Sequence, residues 1–446
     1  MKYVNKYLLA VLLPAAIVLG AGWLILATIG EREQPAIRLA GDVRAIGQQK
    51  ILNLTFSDMK SGLSNISVTL LQDNKPHLLA SLAIPQKGVK QKALTLTVVP
   101  SALKLHDGPA TLSMVALDHS LFKNETVITR PVSIDYTPPR IYLLTPTNNI
   151  NPGGCCVIAY RTSEPVVMTG VMVDKIFAPG YPAAIAGKPA TVAYFGLPMG
   201  FQAGGINARV VARDAGDNET SFTIPTLIRK KKFRVDKMNL TDNFINRIAS
   251  DFQPLPPELQ GKSSLEIFIY INGTMRLANE ARIREMCRQS VPQQLWEGTF
   301  IRMKNASPMA QFGDQRTYIY NKQVIGESVH MGVDLASLAN SPVEASNNGV
   351  VTYAGNLGIY GNAVLLDHGQ GIFSIYGHLS AIDVKVGQRL KKGDILGKTG
   401  TSGLAVGDHL HFGMLAGGQF VNPVEWWDPH WITDNVTDKL KILEGT

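Results

Sequence analysis

The chain has 446 residues, 45% hydrophobic and 17% charged, with 41 Gly and 25 Pro. That length excludes a single small module, since domains run to roughly 100–200 residues, and the composition suits turn-rich β domains rather than a helical bundle, a coiled coil or a disordered chain. The net charge of +8 comes from scattered Lys and Arg with no basic stripe interleaved with aromatics, which speaks against a nucleic-acid partner.

Residues 7–30 carry no charge, and about 20 apolar residues suffice to cross a bilayer core as a helix. The expected first element is therefore a transmembrane helix, with residues 1–33 as cytoplasmic tip and span. Lys2 and Lys6 precede it, whereas Glu31 and Glu33 flank Arg32 after it, so the positive-inside rule puts the N-terminus in the cytoplasm. A cleaved signal peptide has a shorter apolar core, ~7–15 residues. No other stretch is apolar enough to span, and the expected topology is single-pass with the bulk outside.

Between residues 34 and 228, short alternating runs (51–56, 66–71, 94–99) are separated by Gly, Pro, Asn and Asp clusters, the period-two pattern of strands. Val115-Ala116-Leu117-Asp118, followed by Asn124-Glu125-Thr126, is echoed by Val211-Ala212-Arg213-Asp214, followed by Asn218-Glu219-Thr220. The spacing is close to one immunoglobulin-like sandwich, and the prolines of Asp135-Tyr136-Thr137-Pro138-Pro139 mark a stiff connector. Two tandem immunoglobulin-like β-sandwiches, 34–136 and 137–228, are expected, forming a stalk. Residues 229–294 read as a basic linker (Arg229 to Arg234) and a helical region. One helix is capped near Thr241-Asp242, a second runs over about 277–289, and residues 265–270 between them read as a strand. Of the three cysteines, Cys155 and Cys156 are adjacent and Cys287 is remote. They form neither a disulfide framework nor a Cys-based zinc site, and Cys287 reads as a small buried apolar residue.

Six of the nine histidines lie after residue 329. In His330-Met331-Gly332-Val333-Asp334 an imidazole and a carboxylate can reach a common cation, while Gly332 lets the backbone pass close to it. In His409-Leu410-His411-Phe412 a strand turns both imidazoles to one side and Leu410 and Phe412 to the other. Tyr376-Gly377-His378 puts Tyr376 and His378 on one face by the same rule. Two nitrogens and a carboxylate oxygen form a ligand set that zinc accepts with a fourth position open to water. If zinc takes His330, Asp334 and one histidine of the His-Leu-His pair, the other and His378 are left to handle protons or stabilise an oxyanion. His368 reads as a turn residue beside the site and His430 as structural or solvent-facing.

The block 313–423, with Arg316-Thr317-Tyr318, His330 to Ala336, Tyr376 to Ser380, Gly393 to Gly403 and Gly407 to Gly413, resembles the lysostaphin-like zinc metallopeptidases that cut bacterial peptidoglycan. The resemblance implies Zn2+ held by His330, Asp334 and His411, with His378 and His409 as the catalytic pair. It also implies an antiparallel β-sheet metallopeptidase domain with a groove across it, here 295–446. The expected protein is thus mainly β, a zinc endopeptidase acting on peptidoglycan stem peptides or cross-links. It would be tethered by one helix to the bacterial inner membrane, its bulk periplasmic. A peptidoglycan-binding scaffold or activator without catalysis is the rival expectation, which the filled set of five residues disfavours.

Overall fold

The computed structural model describes residues 14, 18–20, 22–23, 32–145, 148–199 and 208–441. Most of the predicted span, 7–30, lies outside the described residues, among which no helix is long and apolar enough to cross a membrane. The chain divides into two compact units, Met1–Pro139 with Arg213–Glu219, and Arg140–Ala212 with Thr220–Thr446.

In the first unit, an antiparallel sheet of Ala36–Leu39, Lys50–Ser57 and Gln91–Val98 faces a five-stranded sheet built around Leu63–Gln72, Gly108–Asp118 and Glu125–Ile134. Alternation drives this layering: Leu52, Leu54 and Phe56 point into one shared core with Ile66, Val68 and Leu112, while their neighbours Ile51 and Asn53 face solvent. The sequence echo is a hairpin clamp. The Asp118 carboxylate accepts the Asn124 backbone N–H at 2.9 Å and its side-chain amide at 2.7 Å, and Asp214 holds Asn218 in the same two ways, each at 3.0 Å.

In the second unit, Cys155–Thr162 lies in a four-stranded sheet with Lys188–Gly196, Tyr181–Ile185 and Ile141–Leu143. One face (Cys156, Ile158, Tyr160) packs on Val171 and Val210. The other (Cys155, Val157, Ala159) joins the core of the C-terminal domain, where Tyr194, Trp296 and Trp426 meet edge-on or tilted. The adjacent cysteines are thus both buried because the strand is covered on both faces, and burial pushes both thiols up. This β domain is not a detached stalk, since its sheet shares a core with the C-terminal domain.

The region before that domain contains Asp242–Asp251, capped by Thr241, Ser264–Tyr270, the π-helical turn Ile271–Met275, and Arg276–Met286. Residues 265–270 are helical, not a strand. Ser263 and Glu266 form a reciprocal capping box, and Ile267, Phe268 and Ile271 are buried at helical spacing. Cys287 is buried at the end of the last helix. The C-terminal sheet is antiparallel along its length, with Val333–Ala336 between Ser307–Ala310 and Leu410–Ala416, followed by Ile372–Leu379, Asn362–Asp367 and Gly349–Asn356.

Candidate metal centre

Strand register builds the centre. Asp334 and His411 are direct cross-strand partners, so their side chains leave the same face of the sheet, and Leu410 and Phe412 anchor the opposite face in the core. His330, four residues upstream of Asp334, closes the group. Its Nε2 lies 2.9 Å from Asp334 Oδ1 and 3.1 Å from His411 Nδ1, which is itself 2.9 Å from Asp334 Oδ1. Gly332 permits this approach, because a Cβ there would lie 2.5 Å from the Phe412 carbonyl oxygen and 2.7 Å from the His411 ring. All three side chains are almost wholly buried.

The donor set suits a divalent cation. His330 Nδ1–H donates to the Gln311 carbonyl at 3.0 Å, which turns Nε2 toward the Asp334 carboxylate and the His411 ring. Lone pairs converging at this range repel unless a proton or cation sits among them. Burial works to raise the Asp334 carboxyl, but the charge of His330 and hydrogen bonds from His330, His409 and His411 overcome it and hold the group well below the usual carboxylate range. Burial pulls His411 down to about 4, so its ring is neutral, as a ligand must be. His411 Nε2 is buried without a hydrogen-bond partner. Two imidazole nitrogens and one carboxylate oxygen leave a fourth position for water or substrate.

The two remaining histidines stand beside this group. The His378 and His409 rings are 4.8 Å apart, and His378 is 5.8 Å from His411. Each is anchored through Nδ1–H, His378 to the Ser402 carbonyl at 2.8 Å and His409 to the Gly407 carbonyl at 2.7 Å, which leaves His378 Nε2 for other chemistry while His409 Nε2 faces Asp334. They are pulled in opposite directions. Burial, then the charges of His409 and His411, lower His378 to about 3, whereas the hydrogen bond and charge of Asp334 outweigh burial and raise His409. His409 Nε2 is 3.6 Å from Asp334 Oδ1.

Tyr376 does not share the face of His378. It packs on Phe412 and its hydroxyl bonds Ser346 and Ser374 in the core. A register shift lies between Asn362 and Val364 on the neighbouring strand, and His378 has a left-handed backbone, φ 61°, so alternation breaks between the two residues. His368 is buried elsewhere, between the Asn348 carbonyl and Ser374 Oγ, and His430 is exposed.

A cavity of about 620 Å³ opens over the centre. Part of its wall, which local patterns did not reveal, comes from the region before the domain: Lys237, Phe244, Phe268 and Arg276 line it together with the five site residues. Arg247 ties this wall to the domain through the Ala405 and Val406 carbonyls, at 3.2 and 3.1 Å. Arg316, visible beforehand only as part of the Arg-Thr-Tyr motif, lies 3.6 Å from the outer oxygen of Asp334.

Residues 328–423 match the family profile "Peptidase family M23". They form an M23 peptidase domain, whose members are metal-dependent. Over 96 residues the chain is 42% identical to the DD-carboxypeptidase/endopeptidase Mpg of Neisseria meningitidis, covering 22% of each protein. It is 34% identical over 116 residues to the peptidoglycan DD-endopeptidase ShyA of Vibrio cholerae, covering 26% of each. The catalytic domain of lysostaphin from Staphylococcus simulans aligns at 28% identity over 29% of this chain and 98% of that one, with a TM-score of 0.25. The chain therefore matches about a quarter or less of the length of these curated relatives.

Proposed function

We propose that the chain is a zinc endopeptidase that hydrolyses amide bonds in peptidoglycan stem peptides or cross-links. The observation that carries this reading is the convergence of His330 Nε2, Asp334 Oδ1 and His411 Nδ1 beside two histidines that take no part in it. Zinc bound there would supply Lewis acidity and a water acidic enough to serve as nucleophile near neutral pH. His330, Asp334 and His411 hold the ion, and Arg316 steadies the outer carboxylate oxygen. His378, kept neutral by burial, presents Nε2 to accept a proton. His409, raised by Asp334, donates to the oxygen on which charge develops or to the departing amine. The cavity wall combines Phe244 and Phe268 with Lys237 and Arg276, a lining that suits an extended peptide carrying free carboxylates.

The proposed centre works in the cell envelope. The uncharged run 7–30 serves as a single membrane span with the N-terminus cytoplasmic, and the bulk is periplasmic. Residues 34–136 and 137–228 are two immunoglobulin-like sandwiches, 229–294 a helical region that forms one wall of the groove, and 295–446 the peptidase domain.

The test is digestion of isolated peptidoglycan by the purified full-length protein, with released fragments identified by mass spectrometry. Amide-cleaved muropeptides are expected, abolished by chelation and restored by zinc. Metal-replete protein that releases nothing overturns the proposal.

A further inference from the structure

We propose that one end of the first unit is a membrane-contacting surface, in which the tips of loops 57–62, 84–90 and 118–124 rest in the headgroup layer of the bilayer crossed by residues 7–30. The inference rests on the membrane reading of that segment and adds a second point of attachment to it. The chain enters the unit at this end. Asn124 donates to the Glu33 carbonyl at 3.2 Å, Thr126 to the Pro35 carbonyl at 2.5 Å, and Lys60 pairs with Glu33 at 2.8 Å. Three Cα-to-Cα steps lead from Gly30 to Glu33 and reach at most ~11 Å. A polar layer of several Å lies on each side of a bilayer core, so the loops cannot stand far from the lipid.

These loops present apolar tips that folding does not require. Met59 is 71% exposed, Leu121 68% and Phe122 52%. Their turns are locked so that the tips cannot fold back. Buried Asp58 accepts the N–H groups of Lys60 and Gly62 at 3.1 and 2.6 Å, and Lys90 holds the Met59 and Lys60 carbonyls. Buried Asp118 accepts those of Ser120 and Asn124 at 3.0 and 2.9 Å. Loop 84–90 joins them, its Gly88 backbone lying against Gly62.

The charge around the tips completes the pattern. Arg32, Lys60, Lys87, Lys90 and Lys123 are exposed there, against the exposed acids Glu33 and Glu125, and the Arg32 guanidinium lies 5.2 Å from the Phe122 ring centre. Single exposed apolar residues are ordinary. Three on locked turns, ringed by cations and joined to the end of a span, match the amphipathic lining of a surface that dips into anionic headgroups.

The experiment uses full-length protein reconstituted into phosphatidylglycerol–phosphatidylcholine vesicles. Nitroxide labels are placed at Met59→Cys, at Phe122→Cys and, for reference, at Leu78→Cys, which is 62% exposed in the middle of a strand; the native cysteines are buried. Labels at 59 and 122 are expected to be several-fold more accessible to oxygen, relative to a polar nickel chelate, than the label at 78. Vesicle-bound protein in which all three labels behave alike overturns the contact and leaves the anchor standing. Protein that does not float with the vesicles overturns the membrane reading and the contact together.

Discussion

Gly332 and His378 show how single backbone positions set the centre. A side chain at 332 would press on the Phe412 carbonyl and the His411 ring, so Gly332→Ala is expected to lower metal affinity about 10–100-fold while circular dichroism stays that of the wild type. Equilibrium dialysis against zinc measures this. His378→Ala separates binding from chemistry, because its ring bonds Ser402 and not the three converging atoms. Metal content should be retained while turnover falls about 10²–10⁴-fold. Loss of metal with this substitution would make His378 a ligand instead. His330, Asp334 and the pair His409/His411 were legible in sequence because each stands in a short pattern whose geometry the backbone dictates; the choice of His411 as the third candidate ligand came from the family resemblance alone. The relation of Tyr376 to His378 was not, since a local register shift and a positive φ override strand alternation.

At the scale of elements, residues 265–270 show why a β-rich composition misleads. Ile267, Phe268, Ile269 and Tyr270 favour strands by propensity, yet the capping box at Ser263 and Glu266 starts a helix and tertiary burial completes it. The groove wall was illegible for a different reason. Phe244, Phe268 and Arg276 reach the cavity through packing between segments more than a hundred residues from His378 and His409, and no local period encodes that. Arg247 fixes the helix Asp242–Asp251 to the loop preceding His409. Arg247→Ala is therefore expected to speed amide hydrogen exchange across residues 404–409 and to raise KM several-fold with metal content unchanged. Unaltered exchange there would show that the wall is held by other contacts.

At the scale of the whole molecule, Glu425 joins the second unit's β domain to the peptidase domain. Its carboxylate accepts the Cys155 N–H at 2.8 Å, and burial raises the group to about 7 against the pulls of Cys155, Lys231 and Asn151. The folded value lies above the ordinary 4.5, so folding favours the protonated form. Its contribution is full below pH 4.5 or so and is lost as pH rises through about 7, an effect on the order of 3 kcal/mol. Thermal unfolding should show that the wild type loses more stability between pH 5 and 8 than Glu425→Gln does; equal losses would contradict the assignment. This junction, and the double burial of Cys155 and Cys156, could not be read from sequence, because one strand serves two cores. The proposed centre holds one zinc ion on His330, Asp334 and His411. Its most direct test is the zinc content of purified full-length protein and of Asp334→Ala by mass spectrometry: one ion per chain in the wild type and none in the variant is the expected result, and equal zinc in both would contradict it.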